Sequence, residues 1–165
     1  MMAQYVTLAQ RIRQEIEDLE RVVTAAQRHW QGFQTEANDP DAYLNSVALN
    51  LHSFYTGLER VLELVAGELD GGTLGRDEAW HVNLLRQMTL ELPGVRPAVL
   101  RQETASELDE YRRFRHLIRN IYTTALDPKR MIHLVDNLSQ AWLQIRQELD
   151  MFATFLTDLS RADEE

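Results

Sequence analysis

The chain's 165 residues are enough for one domain, spanning 1–165, with a full hydrophobic core. It has no cysteine, which excludes a disulfide framework, a thiolate metal site and a cysteine nucleophile, and suits a reducing, cytoplasmic setting. The formal net charge of -9 argues against general duplex DNA binding, which needs a net basic surface, but leaves room for a local anion site.

The N-terminus has no basic flank and no long apolar run, so no signal peptide is predicted. No stretch is apolar for long enough to span a bilayer. Residues 3–34 predict one long amphipathic helix. Its apolar positions, from Tyr5 through Leu8, Ile12, Ile16 and Leu19 to Trp30 and Phe33, fall at alternating steps of three and four. Asn38-Asp39-Pro40-Asp41 predicts a second start, with Asp39 as cap and Pro40 in the first turn. That helix is expected to reach about Ala66, with Val47, Leu51, Phe54, Leu58, Val61 and Val65 inward. Gly67 and Gly71-Gly72 are expected to end it. Asp77 is expected to cap a shorter third helix carrying Trp80, Leu84, Leu85 and Met88. Pro93, Gly94 and Pro97 then predict an irregular connection over 93–102.

Thr104 and Glu107 have capping-box spacing, so a fourth helix is expected to begin there. Leu108, Tyr111, Leu117, Ile118 and Ile121 are its apolar positions. Asp127-Pro128 repeats the cap-then-proline signal, and the last helix follows with a stripe from Met131 to Leu159. Residues from about 160 to 165 read as a polar tail. No segment alternates with period two. The fold class is therefore all-α, an antiparallel bundle of about five helices.

One stretch stands out against the acidic background. Positions 112–119 hold four arginines and one histidine. On a helix, Arg112, His116 and Asn120 follow one another at four-residue spacing, and so do Arg115 and Arg119, one strip over. These five form a continuous polar patch able to hold a phosphodiester, because guanidinium forks match phosphate oxygens two at a time. The same run also reads as a solvated helix face whose arginines pair with Glu107, Asp109 and Glu110. Glu59 and Glu63, one turn apart on the second helix, reach the knot if the two helices pack together; otherwise they are solvated carboxylates.

Other site types lack support. There is no Gly-rich phosphate loop and no nucleophile elbow. Glu78 and His81 have E-x-x-H spacing, but a di-iron bundle needs two such motifs and two further inward carboxylates, so no metal or cofactor is predicted. His81 reads as a partly buried residue beside Trp80, and His29, His52 and His133 as ordinary surface or core-edge residues. Tyr111 and Tyr122 fit either a packed core position or a functional one.

The run Arg115-His116-Leu117-Ile118-Arg119-Asn120-Ile121-Tyr122 resembles the signature of HEPN-domain ribonucleases, specifically the HepT-like toxins. Their motif is R-x-x-x-x-H-x-Y, with a polar residue directly after the arginine. The resemblance extends to segment 51–60 (Leu-His-Ser-Phe-Tyr-Thr-Gly-Leu-Glu-Arg), Trp80-His81 and Leu126-Asp127, and so covers about residues 40 to 150. It implies metal-independent RNA cleavage by a homodimer whose motif helices face each other across one cleft. Arg115 matches the motif arginine that holds the scissile phosphate, and His116 the polar residue after it. Tyr122 matches the tyrosine that a minimal nucleotidyltransferase antitoxin modifies with adenylyl groups. Arg112 and Arg119 fall beside the motif as further phosphate ligands.

The sequence departs from the pattern where the motif histidine falls on Asn120. An amide hydrogen-bonds but cannot transfer a proton near neutral pH, and losing a general acid or base costs about two to four orders of magnitude in rate. Either His116, one turn away, supplies the proton chemistry, or the chain is a binding module without catalysis. The module would dock RNA, a nucleotide or a protein partner.

Overall fold

A computed structural model describes residues 2–36, 38–72 and 75–162. It contains five α-helices: α1 (Met2–Thr35), α2 (Pro40–Leu69), α3 (Trp80–Met88), α4 (Gln102–Ile118) and α5 (Pro128–Ala162). A short 3-10 turn at Thr123–Ala125 precedes α5. Among the described residues there is no strand, only an isolated bridge between Leu92 and Arg96. No helix among them is long and apolar enough to cross a membrane.

The long helices form because their apolar residues repeat at helical spacing, and burial of that stripe, not propensity, fixes them. α1 buries Leu8, Ile12, Ile16, Leu19, Val23, Ala26 and Trp30. It runs antiparallel to α2, with Gln4 at Glu68, Glu15 at Arg60 and His29 at Ser46. It also runs antiparallel to α5, with Arg13 at Thr157 and Gln27 at Ser139. Gly57 allows the α1–α2 approach: a Cβ there would lie 2.8 Å from Leu19 Cδ2. α4 lies across α2 and α5, where the Phe54 ring meets Tyr111 at 5.3 Å and Trp142 at 6.0 Å, both edge-on.

Several helix ends differ from the sequence reading. Asp39 sits in the left-handed region at φ 51° and makes no side-chain cap bond, so Pro40 alone favours the start. α2 continues through Gly67 to Leu69, and the chain turns only at Gly71 and Gly72. Asp77 Oδ1 accepts from Ala79 N at 3.1 Å, a turn that precedes α3 and does not cap it. Asp127 behaves as expected, accepting from Lys129 N at 3.0 Å. The helical end of the predicted tail reaches Ala162, and residues 163–165 lie outside the described set.

The capping box at Thr104 and Glu107 does not form. α4 starts at Gln102, and Thr104 lies buried in its first turn, donating its hydroxyl to Glu148 Oε2 of α5 at 2.6 Å. Glu148 Oε1 also accepts from Arg101 N at 2.6 Å, so the start of α4 is capped from another helix. The 93–102 connection is also more ordered than its composition suggests. Leu92-Pro93-Gly94-Val95 is a tight turn with Gly94 at φ 76°, as a type II turn requires. Arg96 is fully buried and grips Asp70 through Nε (2.6 Å) and Nη2 (2.7 Å). Its Nη1 donates to the carbonyls of Leu90 and Pro97. This fork ties the connection to the end of α2.

Candidate functional site

The Arg-rich knot divides between two environments. Arg112 Nε and Arg113 Nε both bind Asp109, at 2.6 and 3.0 Å. Burial pushes the Asp109 carboxyl up, but the two guanidinium groups outweigh it and hold it below its ordinary range. Both make the carboxylate pairing expected of a helix face, Arg113 exposed and Arg112 partly buried. Arg115 instead turns inward. Its side chain is 15% exposed, and its Nη1 lies 3.4 Å from Glu59 Oε1 of α2. Its Nε is buried without a hydrogen-bond partner.

Glu59 is the hub. Its side chain is 7% exposed, and its other oxygen, Oε2, lies 2.5 Å from His81 Nδ1 of α3. Tyr55, one turn earlier on α2, is buried beneath the Arg115 guanidinium, 6.0 Å from ring centre to Cζ. Burial first, then the Glu59 carboxylate, push the Tyr55 phenol up, so it stays protonated. His52 occupies the next turn of the same face. Its pKa is lowered from 6.5 by burial, then by the charges of Arg115 and Arg119. Three helices thus contribute His52, Tyr55 and Glu59, then His81, then Arg115. The other carboxylate of the pair, Glu63, binds Arg76 at 3.0 Å.

The remaining sequence-predicted residues fall at the open end of α4. The helix stops at Ile118, so the four-residue register predicted through Asn120 is interrupted. Asn120 N donates to Leu117 O at 3.1 Å, a tightened turn, and its side-chain Nδ2 donates to His116 O at 2.8 Å. His116 and Asn120 therefore stay one turn apart, but Asn120 is already engaged. His116, Arg119 and Asn120 are exposed. Tyr122 lies outside any helix and is 86% exposed, so it is not a core residue. Tyr111 is: burial and the nearby Glu107 and Glu110 push its phenol up, and its hydroxyl donates to Leu134 O at 2.8 Å. A shallow cleft of about 340 Å³ lies beside this end, between Phe114, Leu117, Ile121, Leu126 and Arg130.

Residues 46–156 match the family described as HepT-like protein. The chain belongs to the HepT-like family. No curated protein and no solved structure matches it. The match begins within α2 and ends within α5, so it contains every residue of the HepT-like chain's polar cluster.

Two members of that cluster were not apparent in the sequence. His81 is partly buried beside Trp80, as its sequence context suggests, but its bond to Glu59 was not apparent because that partner lies 22 residues upstream on another helix. His52 reads as a surface residue, although its spacing from Tyr55 and Glu59, three and then four residues, places it on their face. Glu78, three residues before His81, is exposed, and His81 bonds to Glu59. Among the described residues no group of three or more His, Asp or Glu side chains converges as a metal would require.

Proposed function

We propose that this HepT-like chain is the ribonuclease-type half of a toxin–antitoxin pair. In this reading residues 1–165 are one cytoplasmic domain, and two copies join so that their α4 ends face one cleft. RNA enters along the exposed edge formed by His116, Arg119 and Asn120. Arg119 and Arg112 hold the phosphate, and Arg115, fixed by Glu59, adds positive charge behind it. His116 takes the proton of a ribose 2′-hydroxyl, whose oxygen attacks the adjacent phosphorus. The 5′-oxygen leaves and takes a proton from solvent, and no metal takes part. Tyr122 is the acceptor through which a minimal nucleotidyltransferase partner silences the edge. The observation that carries this reading is the joint exposure of His116, Arg119 and Tyr122 at one end of α4.

A second reading has its own support: Asn120 donates to the His116 carbonyl, and Glu59 already neutralises Arg115. In that reading the same edge binds RNA, a nucleotide or the partner without cleaving. Cleavage of a labelled RNA pool in EDTA separates the two, with wild type, Arg115→Ala, His116→Ala and Asn120→His compared. Cutting by wild type that is lost in His116→Ala supports the nuclease. A silent wild type with an active Asn120→His identifies a scaffold that has lost its proton donor. Silence in all four leaves the binding module.

A further inference from the structure

We propose that Trp80, with Arg76 over its face, is a base-stacking subsite for single-stranded RNA. The proposal rests on the RNA-directed reading above. The chain has three tryptophans. Trp30 and Trp142 are buried in the core, and the Trp142 indole N–H donates to Glu20. Trp80 is half-buried at the start of α3, flanked by the exposed Arg76, Asp77 and Glu78. The Arg76 guanidinium sits 4.6 Å from the Trp80 ring centre. The His81 ring lies 3.9 Å from the same indole, with the planes 33° apart.

These contacts continue into the polar cluster. His81 bonds Glu59 and Glu59 bonds Arg115, so an unbroken path of side chains joins the Trp80 face to the α4 end. Arg115, the motif arginine of the RNA-directed reading, is thus two side-chain contacts from the ring that stacks on Trp80. The cover on the face is weak. Arg76 is 68% exposed and, among the described residues, is otherwise held by Glu63 alone. An exposed cation–π contact and a surface ion pair each shift an equilibrium by about two- to fivefold. A base stacked on an aromatic ring gains about five- to hundredfold. The two contacts together amount to about four- to twenty-five-fold, so a base stacking in the upper part of its range displaces Arg76 and frees the guanidinium for the strand's phosphates. Exposed Asp77 and Glu78 precede Trp80 in the chain and Glu63 pairs with Arg76, so the local charge disfavours phosphate and leaves the π-face of a base as the group to be bound. The subsite is thus tolerant of sequence and depends on bases being unpaired.

The test titrates a short single-stranded RNA into the full chain, reading affinity by anisotropy of a labelled strand and stacking by intrinsic tryptophan fluorescence. Because Trp30 and Trp142 are buried, the proposal expects RNA to quench Trp80 emission, and an abasic strand of equal length to leave it unchanged. Trp80→Leu is expected to weaken RNA binding at least fivefold, Trp80→Phe to retain most of it, and Arg76→Ala to weaken it less than Trp80→Leu. Quenching in the wild-type chain does not depend on whether a variant folds. RNA binding that Arg119→Ala weakens, without quenching and with Trp80→Leu at wild-type affinity, overturns the subsite and leaves the RNA-directed reading intact. No binding of any single strand overturns both.

Discussion

Glu59 serves Arg115 and His81 from two other helices, and its removal strands Arg115. Breaking a buried pair by deleting one partner costs about 3–5 kcal/mol, because the other charge stays desolvated. Arg115 retains some water, so Glu59→Gln is expected at the low end, about 3 kcal/mol in urea denaturation. A loss below about 0.5 kcal/mol, the usual size for a surface substitution, would mean that Arg115 reaches solvent in the wild-type chain. The sequence shows Glu59 and Glu63 as an equivalent pair one turn apart. What separates them is the helix packed opposite: Glu59 shares the inward face of Tyr55, while Glu63 lies where Arg76 reaches it. His52 gives a second handle on the same cluster. Burial, then Arg115 and Arg119, hold its pKa below 6.5, so the unfolded chain binds this proton more readily than the folded one. The neutral imidazole's contribution to stability is complete above pH 6.5 and is lost as pH falls from 6.5 through the lower folded value. Arg119→Ala is expected to raise the His52 pKa in a histidine NMR titration and to shrink that loss. An unchanged titration would separate Arg119 from His52 and so from the Arg115 cluster.

At the scale of elements, the three long helices were legible from their three-and-four stripes to within a few residues at each end, because a continuous apolar face is a local property of the sequence. The ends of α4 were not, because both depend on groups that periodicity does not register. At the start, Thr104 matched a local capping signal, but its hydroxyl goes to Glu148, 44 residues away. At the finish no proline or glycine marks the stop. Asn120 ends the helix by bonding back to the His116 carbonyl, a competition with the helical ladder characteristic of short polar side chains. The same turn keeps Asn120 one turn from His116 but ties its amide to the His116 carbonyl. Glu148→Ala leaves the buried Thr104 hydroxyl without its partner, at about 1–3 kcal/mol for an unsatisfied buried group, and removes the acceptor of the Arg101 N–H on an exposed residue. Global stability is therefore expected to fall by about 2 kcal/mol or more, with hydrogen exchange accelerating first at residues 102–108. Uniform acceleration across all helices would show instead that Glu148 supports the core and not the α4 terminus.

For the whole molecule, the net charge of -9 sets how strongly a polyanion is held. Reading the sequence alone, four arginines within eight residues look like a strong phosphate site. In the folded chain Asp109 takes Arg112 and Arg113, and Glu59 takes Arg115. Among the described residues, Arg119 is the knot arginine left without a carboxylate within ion-pair distance. The Asp109 half of that cancellation is legible from its three- and four-residue spacing, whereas the Glu59 half depends on α2 packing against α4. The consequence is measurable through salt. Each phosphate neutralised on a single strand contributes about -0.7 to the slope of log K against log salt. In the proposed dimer, with Arg119 from each of two copies and at most one or two further arginines released to the strand, the slope is expected at about -2. Arg119→Ala is expected to make it shallower by about one in a dimer, while a variant that acts through stacking leaves it unchanged. A slope of about -5 or steeper would mean that RNA breaks the Asp109 and Glu59 pairs and recruits the whole knot. The resting ion pairs would then be a latch that the ligand opens, and Glu59→Gln would strengthen RNA binding even as it weakens the fold.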